Sequence, residues 1–319
     1  MKSVAILLAV YKPNLVFLRD LLRSIESQDY SNISVHIRDD SGDNSYKEVI
    51  LRTANECLKE KNFNYKLNEA NYGSNKTFEL LTKEANADFV AYCDQDDVWQ
   101  PEKIRTLINK IHQEGSVIAY SDLSLIDKDG NELGDSFKDY SKRLKHVKGN
   151  NLTSFFLNRN SITGCTMLIE TNVAKKALPF PSSEIYVHDH WLALVASTVG
   201  RVSYVDAPLV KYRLHEDNQI GANVLDSIFS KDDYIKIKLK KDLDRLQIIE
   251  TRFDSNYQRD FLQHKDYVLL RNKQLTKKSI INSIKLLRHI RKDFSLVSFE
   301  LMINWIPEKY TVKIISKIK

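Results

Sequence analysis

Asp94, Asp96 and Asp97 fall within four residues of the run CDQDDVW and concentrate more negative charge than a chain tolerates without a positive partner. One such partner is a hard divalent cation, held by carboxylate oxygens and completed by waters and substrate phosphates. A second reading makes them helix-start carboxylates ahead of Pro101, where acidic side chains are also favoured. Three other sites share their setting. Tyr11 follows the apolar run 4–10, Asp39 and Asp40 follow the run 33–37, and Asn71-Tyr72-Gly73 follows 63–67. An aromatic ring, a separate carboxylate and a metal-binding cluster together suit a nucleotide diphosphate.

Those positions matter only if the chain brings them together, and its hydrophobic pattern says that it does. The seven-residue run 4–10 is continuously apolar, as expected of a strand covered on both faces. Leu15, Leu18, Leu22 and Ile25 then recur at helical spacing behind the start signal Pro13-Asn14. Strands at 33–37, 63–67 and 89–93 alternate with helices at 46–60 and 77–85, and with one opened by Pro101 that carries Ile104, Leu107, Ile108 and Ile111. This rhythm predicts a mostly parallel, doubly wound α/β sheet, which binds ligands at the carboxyl ends of its strands. Further on, Asp129-Gly130-Asn131 reads as a hairpin turn and 166–170 as a strand. Residues 188–197 read as a helix, 202–205 and 209–214 as strands, and everything after about Gly221 as helical.

The chain has 319 residues, 42% of them hydrophobic and 28% charged, which excludes a disordered or fibrous protein. Its three cysteines, Cys57, Cys93 and Cys165, have no paired spacing, so a disulfide framework or zinc cluster is not expected and a reducing, cytoplasmic setting is. The first apolar run is too short to span a bilayer and lacks a cleavage pattern. The net charge of +6 is uneven: the last 49 residues hold 12 Lys+Arg against 3 Asp+Glu, and the remainder is slightly acidic. This is not the footprint of a nucleic-acid binder, and no nucleic-acid motif is present.

With these residues in order, the sequence resembles the inverting glycosyltransferases of family 2, which have the GT-A fold. The resemblance runs from about Ser3 to Ala222 through AVYKPN, IRDDSGDN, NYGSNKTFE, YCDQDDVWQPEKI, SDLSLIDKDG, ITGCTMLIE, VHDHW and YRLHEDN. Within the family it looks most like bacterial rhamnosyltransferases of cell-wall or capsular polysaccharide. The resemblance implies a catalytic domain over 1–222, with a nucleotide-sugar half at about 1–115 and an acceptor half at 116–222. A helical, basic region over 223–319 follows.

The resemblance also implies roles. Tyr11 would stack on the donor's pyrimidine and Asp39 would read its imide N–H, while Asp40 orders the loop. Gly73 would let backbone approach the nucleotide, and Lys76 would meet phosphate. Asp94 would lie near the ribose, and Asp96 would ligate Mn²⁺ or Mg²⁺, with His215 as a metal or phosphate contact and Arg213 closing over the diphosphate. Asp189 would be the general base, with Gly164, His188, His190 and Trp191 on the acceptor side. Each has an ordinary alternative: a strand-end tyrosine, an Asx turn, a solvated lysine, a helix cap or, for Trp191, a core residue. Cys165 is expected to be a small buried residue, without a base to activate it.

The expected activity is transfer of L-rhamnose from dTDP-β-L-rhamnose to a hydroxyl of a growing bacterial surface glycan, either free or lipid-linked. Alternatives are a UDP-hexose transferase of the same fold and a non-catalytic nucleotide-sugar-binding subunit. In the C-terminal region, Ile280, Ile284 and Leu287 share one helical face, and Trp305, Tyr310 and scattered lysines suit a membrane interface. Peripheral membrane contact at the inner face of the membrane is the expectation, with a packed helical cap or an oligomer contact as its alternatives.

Overall fold

The computed structural model describes residues 1–140, 144–215, 228–253, 258–290 and 293–318. The chain divides into two compact units, Met1–Glu216 and Asp217–Lys319. The expected domain boundary at 222/223 lies outside the described residues.

The first unit begins as the sequence predicts: β1 Val4–Val10, α1 Leu15–Glu26, β2 Ile33–Asp39, α2 Lys47–Cys57, β3 Asn62–Leu67, α3 Ser74–Glu84 and β4 Phe89–Cys93. The Asn14 side chain accepts N–H bonds from Val16 and Phe17 and so starts α1. The two-residue β5, Val98–Trp99, and α4, Lys103–Glu114, follow. Then come β6 Ser116–Ile126, β7 Glu132–Gly134, α5 Phe137–Tyr140, α6 Thr153–Phe156, β8 Met167–Glu170, α7 Thr171–Lys176, α8 His188–Val199 and β9 Arg201–Arg213. The segment read as two strands, 202–205 and 209–214, is therefore one long strand.

All nine strands form one sheet, in the order β3-β2-β1-β4-β8-β6-β9-β5, with β7 on β6. The long ladders β1/β2, β2/β3, β1/β4 and β6/β9 are parallel, and the shorter β4/β8, β6/β8, β5/β9 and β6/β7 pairings are antiparallel. Because β8 runs against both neighbours, β4, β6 and β9 point the same way as β1 and β2. With β3, which is parallel to β2, six strands thus end on one side. On one face, Leu18, Leu21, Ile50, Ala54, Ile104 and Leu107 of α1, α2 and α4 pack on Ile6, Leu8, Val35 and Ala91. The opposite face carries α3, α7 and α8, where the Phe78 ring meets Tyr92. Coverage on both sides accounts for the unbroken apolar run of β1.

The second unit contains no strand among its described residues. It comprises α9 Lys231–Asp233, a π-helical turn Tyr234–Leu239, α10 Lys240–Arg252, α11 Gln258–Thr276, α12 Ile280–Leu287, α13 Phe294–Trp305 and α14 Glu308–Ile318. At its centre the Arg271 guanidinium donates to both Glu300 oxygens and to Asp242 (2.8 Å), and the Tyr234 hydroxyl donates to Glu300 (2.6 Å). Glu300 and Arg271 are buried, so this set fixes which sides of α11 and α13 face inward.

Candidate active site

Each strand end contributes one part of the site. After β1, Tyr11 leaves its ring 43% exposed. Its backbone is clamped at two points by Gln95: Tyr11 N–H donates to Gln95 Oε1 (2.8 Å), and Gln95 Nε2 donates to the Tyr11 carbonyl (3.1 Å). After β2, Asp39 is fully buried and its carboxylate accepts from Ser41 N–H (2.9 Å) and the Tyr65 hydroxyl (2.8 Å). Asp40 accepts from Tyr72 N–H, Gly73 N–H and Asn68 Nδ2 at 2.7–2.8 Å, so it does order the 71–73 loop. Gly73 sits at φ +79°, where a side chain would be strained, and directly precedes α3. Lys76, one turn into α3, is exposed and paired with Glu79.

The aspartate loop hangs between two strands. β4 ends at Cys93, and β5 pins the far side by pairing Val98 with Lys211 and Trp99 with Val210 of β9. Asp94 and Asp96 are partly exposed, and Asp97 points inward with no exposed surface. His215 Nε2 lies 2.9 Å from Asp96 Oδ2, and its ring packs on Phe17. Burial, with the charges of Asp96 and Asp189 close by, pushes the Asp94 carboxyl up to about 7. The Asp97 carboxyl is raised as well, first by burial and then by its aspartate neighbours.

Two cations behind the loop offset this charge. Lys103 is completely buried at the start of α4; its ammonium donates to the Cys165 carbonyl (2.5 Å) and lies 3.0 Å from the centre of the Trp99 ring. Burial brings its pKa down to about 7, while the nearby Asp97 and Asp94 carboxyl groups pull the other way. Sequence reasoning missed this residue, although Lys103 falls in the same helical stripe as Leu107 and Ile111. Arg213 is the second cation. Its Nε donates to the Asp96 carbonyl (2.9 Å), its Nη2 to Asp20 (3.1 Å), and its guanidinium covers the Phe17 ring. Only 2% exposed at the end of β9, Arg213 braces the loop from behind, with its guanidinium bonded within the protein.

Asp189 enters from the other half of the unit, in the first turn of α8. Its Oδ1 accepts from Asn160 Nδ2 (3.1 Å) and from His190 N–H. Burial raises its carboxyl to about 6 against the opposing pull of the His190 and Gly164 N–H groups. The segment leading into α8 is tethered to α3: Asn75 donates to the carbonyls of Pro181 (3.0 Å) and Tyr186 (2.7 Å) and accepts from His188 N–H (2.9 Å). Glu79 accepts from Phe180 N–H (2.8 Å). Gln95, Asn75 and Asn160 are positioning residues that the motifs contain or flank but that no spacing rule singles out.

Three neighbours of Asp189 are turned into the protein. His188 packs between Phe78 (4.3 Å) and Tyr92 (5.7 Å), and burial lowers its pKa to about 3, so it is neutral. The His190 ring bonds the Phe156 carbonyl (2.6 Å), and Trp191, 1% exposed, donates to the Ala177 carbonyl (2.7 Å). Gly164 likewise serves packing: a Cβ there would stand 2.6 Å from His188 Nε2, so the close approach it permits is that of the histidine ring.

The donor set suits a divalent cation. Asp94 and Asp96 offer hard oxygens at the opening and His215 an imidazole nitrogen, a combination Mn²⁺ accepts readily. Carboxylate oxygens of Asp94 and Asp97 and the Cys165 sulfur also lie within 4.8 Å of one another. Burial keeps that thiol protonated, which makes it a poor ligand for a hard ion.

Comparison with known proteins identifies the family and the fold. The family model described as glycosyl transferase family 2 matches residues 6–169. The dTDP-rhamnosyl transferase RfbG of Shigella flexneri is 28% identical over 171 residues, covering 48% of this chain and 53% of that protein. The uncharacterized glycosyltransferase RT0329 of Rickettsia typhi is 26% identical over 217 residues, covering 67% and 64%. The match thus spans less than two thirds of either relative's own length. Among solved structures, S. aureus TarS 1-349 in complex with UDP-GlcNAc superposes with a TM-score of 0.58 at 17% identity over 92% of this chain and 78% of that one. Its complex with UDP gives 0.54 at 15% identity over 93% and 79%. The strand order, the carboxylates at the strand ends and the family match together make this chain a member of glycosyl transferase family 2, with the GT-A fold.

Proposed function

We propose that the chain transfers a sugar from a nucleotide diphosphate to a glycan hydroxyl with inversion, with Asp189 as general base. The observation that carries this reading is the set of carboxylates at the strand ends, with Asp96 2.9 Å from His215 Nε2 and Asp189 held by Asn160 Nδ2 at 3.1 Å. The exposed Tyr11 ring stacks on the donor base, the buried Asp39 shapes the strand end through Ser41 and Tyr65 and does not itself reach the base's edge, and the backbone at Gly73 with the Lys76 ammonium faces the phosphates. Asp189, held by Asn160, takes the proton from the acceptor oxygen as that oxygen attacks the anomeric carbon. The nucleotide diphosphate departs from the opposite face. A Mn²⁺ or Mg²⁺ ion held by Asp94, Asp96 and His215 would supply Lewis-acid stabilisation of the leaving group's charge. Lys103 and Arg213 keep the aspartate loop in place from beneath.

dTDP-β-L-rhamnose is the proposed donor, supported by the ordered motifs and by the name of the Shigella relative. The proposed acceptor is a bacterial surface glycan carried on lipid at the inner face of the cell membrane. The TarS complexes with UDP and UDP-GlcNAc favour a UDP-hexose as the second reading. Donor-binding titrations of dTDP-rhamnose, UDP-glucose, UDP-galactose and UDP-N-acetylglucosamine with Mn²⁺, on wild type and Asp96→Ala, separate them. Metal-dependent binding of dTDP-rhamnose alone, lost in Asp96→Ala, is expected. Preference for a UDP sugar transfers the assignment to the second reading, and unchanged binding by Asp96→Ala removes the metal site. A chain that binds donor but transfers to no glycan, whether or not it carries Asp189→Asn, is a binding subunit.

A further inference from the structure

Helix α12 is amphipathic in the reverse sense. Its inward face holds Asn282 and Leu286, whereas Ile280, Ile281, Ile284 and Leu287 are 46–67% exposed. Helix α13 does the same on its outer side. Arg271 holds Glu300 inward and Val297 and Ile303 pack beside it, which turns Phe294 (69% exposed), Met302 and Trp305 outward. The two outer faces are joined, because Trp305 Nε1 donates to Ser283 Oγ of α12 (3.2 Å). Around the patch stand the exposed Lys277, Lys278, Lys285 and Arg288, and residues 277–290 contain no acidic side chain. Among the described residues no helix is long and apolar enough to cross a membrane.

We propose that this face of α12 and α13 lies in the interface of an anionic lipid bilayer, with the isoleucines, Phe294 and Trp305 among the acyl-chain ends and the lysines on the headgroups. Large aliphatic and aromatic side chains left in water together, rimmed by cations, match that environment on both counts. A second copy of the chain fits less well, since pairing this face with itself would bring the same lysines together without acidic partners. The inference deepens the reading of a membrane-borne acceptor, and its test needs neither donor nor acceptor.

The test is flotation of the 319-residue chain with phosphatidylcholine vesicles, with and without phosphatidylglycerol, at low and high salt. Binding should require phosphatidylglycerol and weaken with salt. The double variant Ile280→Asp/Ile284→Asp and, separately, Lys278→Glu/Lys285→Glu should each bind at least about tenfold more weakly, with an unchanged melting temperature. Because these side chains face solvent, the variants fold. A wild type that stays with the soluble fraction overturns the proposal, and so does a double-Asp variant that floats as well as wild type. So does a wild-type dimer that the double-Asp change dissociates in the absence of lipid binding. Failure here leaves sugar transfer standing, and a chain inactive in transfer that still floats leaves the membrane face standing.

Discussion

A loop strung between two strands and the first turn of a helix present their side chains in different ways, and this site uses one of each. In the loop 94–97, a turn at 95–96 leaves Asp94 and Asp96 partly exposed and carries Asp97 into the protein. In α8, each successive residue turns by about 100°, so four in a row sweep most of a circle. Asp189 alone faces the cleft, while His188 meets Phe78, His190 meets Phe156 and Trp191 meets Ala177. A cluster of polar residues on a strand-end loop can act as a group. At a helix start it supplies one acting residue, and the others hold that residue in place.

The sharpest way to break this contrast is at Asp189. Asp189→Asn should lower the rate of sugar transfer by about 10²–10⁴-fold in a turnover assay, with donor affinity kept. A loss below tenfold would mean another group takes the proton. Trp191→Ala should act on folding, at a cost of about 3–5 kcal/mol in urea denaturation, with Trp191→Phe restoring activity per folded molecule. If Trp191→Phe is folded but cannot transfer, the indole belongs to the site after all.

In the loop, the corresponding test is Lys103→Met. Removing a buried cation beneath Asp94 and Asp97 should cost about 3 kcal/mol without metal, and added Mn²⁺ should recover more stability than it adds to wild type. Equal stability of the two proteins in metal-free buffer would refute the counter-charge account.

A smaller effect is a pH limb. The base must be ionised, so the transfer rate should fall about tenfold per unit as pH drops below about 6. A limb near pH 4 would place the base in a wetter setting than Asp189 occupies. The same raised pKa has a consequence for stability. Its ordinary value is 3.8, so the folded state holds the proton more tightly than the unfolded one. The resulting stabilisation is complete at low pH and is lost as pH rises through about 6. Above that, the ionised Asp189 opposes folding, and Asp189→Asn should gain about 1–2 kcal/mol of stability at pH 8.

The same geometry explains what the sequence disclosed. Strand ends are readable because a parallel sheet puts them on one side, and Tyr11, Asp39, Asp40, Gly73, Asp94 and Asp96 all sit there. His215 beside Asp96 was legible only through the family resemblance. Arg213 and Lys103 were not legible as buried counter-ions, because a cation in an apolar stripe or at a strand end looks solvated until its partners are known. Lys103 did leave a trace, a lysine in register with Leu107 and Ile111 on the buried side of α4. Nothing local could reveal that Gly164 yields to the His188 ring, since the two are brought together only by α8 packing over β6 and β9.

Arg213 also bears on how the enzyme is made. Every residue proposed to touch the nucleotide base or the phosphates through Asp96 is translated early, yet the Asp96 carbonyl and the outer edge of the loop are held by β9, whose last residue is Arg213. A nascent chain therefore carries its acidic cluster through most of the synthesis of this unit with its final brace missing. The outer edge of the loop is complete only once β9 lies between β6 and β5. Until then the growing polypeptide carries its acidic cluster without the strand that holds the cluster's outer edge.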